Sequence, residues 1–78
     1  MDLEFDKEGA YRIRVKGYLP EGWTERMGGM AIRYDGDVEP SETVLYGQLR
    51  DQAALMGVLN ALYGLHLPLL SVKYLAKE

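Results

Sequence analysis

The chain has no cysteine and a single histidine, His66. Disulfides and thiolate zinc sites are excluded by the first absence, and an imidazole cluster around a metal by the second. Charge is missing from one long internal stretch: between Asp51 and Lys73 there is no Asp, Glu, Lys or Arg. Nor is there an excess of positive charge, since nine basic residues stand against twelve acidic ones for a net charge of −3. That balance creates no broad field to hold nucleic acid or an anionic membrane, and neither is an expected partner. The opening Met1-Asp2-Leu3-Glu4-Phe5-Asp6 lacks the apolar segment of a signal peptide, so a cytoplasmic location is expected.

The uncharged run from Gln52 to Val72 reaches the roughly 20 residues that a bilayer demands. Gln52, Asn60 and His66 interrupt it, however, and Gly64 and Pro68 punctuate it, so no membrane span is expected. What remains is a globular composition, 47% hydrophobic and 27% charged, too apolar for disorder. With 78 residues the chain makes one domain, and a core of that size hides only about 60% of the surface exposed by the unfolded chain. Small domains compensate with disulfides, metals or association. Here association is the route left open.

Residues 1–10 mix acids with Leu3 and Phe5 without a clear period and are expected to form a loosely held arm; residues 11–78 form the domain. Tyr11, Ile13, Val15 and Leu19 alternate with Arg12, Arg14, Lys16 and Tyr18, the period of a half-buried strand. The basic triplet Arg12, Arg14 and Lys16 is read as a solvated sheet face that pairs with acids on the next strand, in preference to an anion site. Pro20 to Arg26 forms a loop, with room for a helical turn, and carries the single Trp23 as a plug over the core. Met30, Ile32 and Tyr34 mark a second strand. Thr43 to Leu49 forms a third, with Leu45 and Leu49 inward, Gly47 leaving room, and Val44 and Tyr46 outward beside Tyr18. Asp35, Asp37, Glu39 and Glu42 between them lack the oxygen spacing of a calcium loop and are read as a solvated hairpin tip.

Asp51 is placed to cap a helix whose Leu55, Val58, Leu59 and Leu62 recur at helical spacing, with Gly64 as the expected C-cap unless the helix runs on to Leu65. Its other side carries Ala53, Gly57, Asn60 and Gly64, bordered by Gln52, Met56 and Tyr63, with no charge at all. Leu67 to Leu75 reads as a fourth strand, apolar on both faces as if buried on two sides, and His66 as a turn residue. The fold expected is α+β, β-β-β-α-β, with a four-stranded mixed sheet in the order 3-2-1-4 and the helix on one face.

Tyr11-x-Ile13-x-Val15-x-Gly17-x-Leu19, Trp23, Gly29-Met30-x-Ile32, Leu45-x-Gly47 and the run Asp51-Gln52-Ala53-Ala54-Leu55-x-Gly57-Val58-Leu59 followed by Leu69-Leu70-Ser71-Val72 resemble a family of short, uncharacterised bacterial proteins. The resemblance implies a small free-standing bacterial protein and carries over no catalytic residue.

No catalytic constellation accompanies these elements: Ser41 and Ser71 lack a nearby His, and His66 lacks a partner. We therefore expect no enzyme, no metal and no cofactor. The expected role is an interaction or regulatory module, a homo-oligomer such as a dimer or an accessory subunit of another protein. Its contact surface is either the bare helix face of Ala53, Met56, Gly57, Asn60 and Tyr63 or the sheet face of Tyr18, Val44 and Tyr46. The alternative is a protein that encloses a small apolar or aromatic ligand between protomers, lined by Tyr18, Trp23, Tyr46, Met56 or Tyr63.

Overall fold

The computed structural model describes residues 9–36 and 42–76. Of the expected arm over residues 1–10, residues 1–8 lie outside the described residues, as do residues 37–41 of the expected hairpin tip, whereas Gly9 and Ala10 belong to the first strand. The elements are β1 (Gly9–Lys16), a 3-10 segment (Glu21–Met27), β2 (Ala31–Asp35), β3 (Glu42–Leu49), α1 (Gln52–Gly64) and β4 (Leu69–Ala76). The α+β class, the element order and, among the described residues, the single α-helix are those expected.

The sheet order is β2-β3-β1-β4, with every neighbouring pair antiparallel. This corrects the expected order 3-2-1-4 and the mixed sheet. The error lies in the first connection. β1 and β2 are not a hairpin: the chain leaves β1, passes through the 3-10 segment and returns as β2 in the same direction, leaving a slot that β3 fills. Parallel strands need such a crossover rather than a tight turn. β4 takes its expected place beside β1 and, as a crossover from β3 requires, runs with β3 and against β1. The connectivity is that of the split β-α-β arrangement, with the first helix reduced to the 3-10 segment.

Register explains the alternation. Ile32, Leu45, Ile13 and Val72 form one row across the sheet on the core side. Arg33, Val44, Arg14 and Ser71 form a row on the other. Tyr11, Ile13, Val15, Ile32, Leu45 and Leu49 are buried against Leu55, Val58 and Leu62 of α1 and against Met27 and Met30. Trp23 packs on the margin of this core, as the plug reading expected. Thr43 is the one buried polar residue of the described core, and its hydroxyl is used twice: it donates to the Gly17 carbonyl at 2.6 Å and accepts from the Leu19 amide at 3.1 Å. Gly47 is demanded by its neighbour, since a Cβ there would lie 3.3 Å from Met30 Cα at a φ of +154°.

Candidate functional site

α1 begins as its sequence dictates. The Asp51 carboxylate accepts from the Ala54 amide at 2.9 Å, satisfying one of the free donors of the first turn. Its end differs from expectation. Gly64 is the last helical residue, Leu65 is the C-cap, and His66, not glycine, takes the left-handed position at φ +61°. The Leu67 amide donates to the Leu62 carbonyl at 3.2 Å and the His66 amide to the Tyr63 carbonyl at 2.9 Å. Those two bonds define a Schellman closure, with Leu67 folding back on Leu62. The closure aims Leu67 and Pro68 toward the C-terminal turn of α1 before β4 starts.

The result is a groove of about 300 Å³ between α1 and the entry to β4, lined by Leu59, Asn60, Leu62, Tyr63, Leu67, Pro68 and Leu69. α1 comes closest to β3 and the 3-10 segment. The start of β4 is therefore left open: Leu69 is 52% exposed and Leu70 47%, which corrects the reading of this strand as buried on two sides. The sequence signal for these two residues was present, because a strand apolar on both faces exceeds what one 13-residue helix covers. Ala53, Met56, Gly57, Asn60 and Tyr63 lie on the exposed side of α1, Tyr63 at 83% exposure, and no charged side chain interrupts them.

The second expected surface does not assemble. β1 ends at Lys16, and Gly17, at φ +109°, turns the chain so that Tyr18 leaves the open sheet face. Tyr18 instead stacks on Tyr34, ring centroids 5.1 Å apart, and lines a cleft of about 130 Å³ with Trp23, Leu65 and Leu67. The Tyr34 hydroxyl donates to the Leu19 carbonyl at 2.6 Å. Burial, reinforced by the hydrogen bond with Tyr18, pushes the Tyr34 phenol up to about 12. Val44 and Tyr46 remain on the open face, but among cations: Tyr46 shares a row with Arg12 and Lys73, and the Arg33 guanidinium lies 5.3 Å over its ring. Arg14 donates to Asp35 at 2.9 Å and to Glu42. The two carboxylates, Glu42 foremost, raise the Arg14 pKa above its ordinary value. Pairing with acids on neighbouring strands is what the solvated-face reading of the basic triplet expected.

Among the described residues no three His, Asp or Glu side chains converge as metal ligands, and no helix is long and apolar enough to cross a membrane. The aromatic residues proposed to enclose a ligand are divided between two faces and three places: Tyr18 with Trp23, Tyr63 with the groove, and Tyr46 on the open sheet. What the chain brings together is an apolar surface, running from the outer face of α1 through the groove to the exposed start of β4.

No curated protein and no solved structure matches the chain. A family model does match, over residues 10–73, from β1 to the middle of β4 and thus including the core, the groove and α1. The chain therefore belongs to the family described as a domain of unknown function, DUF8691.

Proposed function

We propose that this protein is a non-enzymatic interaction module that works in the bacterial cytoplasm as a homo-oligomer, in its simplest form a dimer. One observation carries the reading: Tyr63 and Leu69 stand exposed in the lining of a single groove, Met56 is exposed on the same charge-free side of α1, and Leu70 is exposed next to Leu69 in the chain. Contiguous apolar surface rimmed by polar residues is the mark of an interaction site. A domain of this size also gains stability in proportion to what binds its folded form.

Sedimentation of the full chain across micromolar concentrations tests it. The wild type should associate, and Tyr63→Lys should shift it to monomer while leaving the fold intact by circular dichroism. A wild type that is monomeric throughout the range and indistinguishable from Tyr63→Lys overturns the proposal. A stoichiometric second protein retained in purification would make the same surface that of an accessory subunit. The groove volume also supports a second reading, since about 300 Å³ is the lower end for small-ligand pockets. Native mass spectrometry separates the two: a retained small molecule supports the ligand reading, and bare subunits the module.

A further inference from the structure

We infer that the second copy joins along β4, edge to edge and antiparallel, about a twofold axis at Val72, so that the two sheets become one. This rests on the homo-oligomer reading above and names its contact.

Among the described residues β4 is an outer strand, hydrogen-bonded to β1 alone. An outer strand presents a row of unpaired amides and carbonyls, and stable monomers blunt such edges by shortness, charge or bulges. β2, at the other edge, has the first two devices: it is five residues long and carries Arg33 and Asp35. β4 is eight residues long and has one charge, Lys73; its pairing with β1 shifts register at Leu70 and at Leu75, and Ser71 to Tyr74 between the shifts pair regularly. Its exposed residues include Leu69 and Leu70.

The register follows from three constraints. Paired residues on antiparallel strands share a face, so an axis perpendicular to the sheet must pass through a residue rather than between two. The midpoint of Leu69–Ala76 falls between Val72 and Lys73, which leaves those two as the centres that pair all but one residue of the strand. An axis at Lys73 would set two ammonium groups directly opposite each other, which is unfavourable. An axis at Val72 instead sets Ser71 against Lys73 of the partner subunit and Leu70 against Tyr74 of the partner subunit. Lys73 then faces a neutral hydroxyl, and an exposed leucine gains an aromatic neighbour. The strand is thus complementary to itself in one register, and this is why the occupant is a second copy rather than an unrelated strand.

The chain contains no cysteine, so one introduced thiol carries a unique spin label. Ser71 and Lys73 are both exposed and flank the axis symmetrically. From the strand spacing and rise, Ser71→Cys and Lys73→Cys should each place the two Cα atoms about 8 Å apart in the dimer. Both labelled full-length variants should show strong dipolar broadening at concentrations where sedimentation finds a dimer, lost on dilution with unlabelled protein. Either variant suffices if the other fails to fold. A dimer without broadening at either position overturns the β4 contact and leaves the homo-oligomer reading standing. A monomer overturns both. Broadening much stronger at position 73 than at 71 would move the axis to Lys73 and refute the register.

Discussion

His66→Gly should make this protein more stable. At the C-terminus of α1 the chain needs a residue in the left-handed region, and it uses a histidine at φ +61°. An L-residue with a Cβ is disfavoured there by roughly 1–2 kcal/mol, histidine being among the better tolerated. Glycine removes that cost but adds freedom to the unfolded chain, which returns about 0.5–1 kcal/mol. The net expected gain is about 0.5–1 kcal/mol. For a domain of this length that corresponds to roughly 2–8 °C in Tm. The His66 side chain is exposed and its ring makes no hydrogen bond or ion pair among the described residues, so little is lost with it. Urea unfolding of wild type, His66→Gly and His66→Ala at one protein concentration measures the effect. The alanine variant removes the ring but keeps a Cβ, so it should gain nothing. The backbone account is refuted if His66→Gly is less stable than wild type, or if His66→Ala gains as much.

Three further outcomes follow from the packing. Gly47→Ala should destabilise the fold by more than about 1 kcal/mol, read as a lower urea midpoint, because the new methyl meets the Met30 backbone at 3.3 Å. Thr43→Val should cost about 2 kcal/mol or more by the same assay, since it strands the Gly17 carbonyl and the buried Leu19 amide, whereas Thr43→Ser keeps both bonds and should cost less. Tyr34 favours its neutral form in the folded state, with its pKa raised from 10.0 to about 12. Its contribution is therefore whole below pH 10 and lost as pH rises toward 12. Unfolding midpoints of the wild type should fall more steeply over that window than those of Tyr34→Phe. Parallel curves would remove Tyr34 as the cause.

Properties set by near neighbours in the chain were readable before any tertiary structure. The inward Tyr11, Ile13 and Val15 and outward Arg12, Arg14 and Lys16 follow from the two-residue period of a strand, and the Asp51 cap and the buried stripe of Leu55, Val58 and Leu62 from the turn of a helix. The charge-free side of α1 was legible for the same reason. Errors arose where distance in sequence had to be converted into proximity. Tyr18 continues the alternation on paper, but one positive φ at Gly17 sends it to Tyr34 and Trp23, away from Tyr46. The apolar residues on both faces of β4 announced a need for cover without saying that Leu69 and Leu70 would stay exposed.

The sequence by itself determined which side chains of each element turn inward, because the periods of strand and helix are properties of the local backbone. Tertiary structure decided which strands meet. β3 lies between β1 and β2 because the chain crosses over after β1, and β4, at the edge, packs Val72 and Tyr74 on the core while Leu69 and Leu70 at its start stay exposed. Those choices depend on how separate apolar faces best cover one another, a comparison no single stretch of the chain contains.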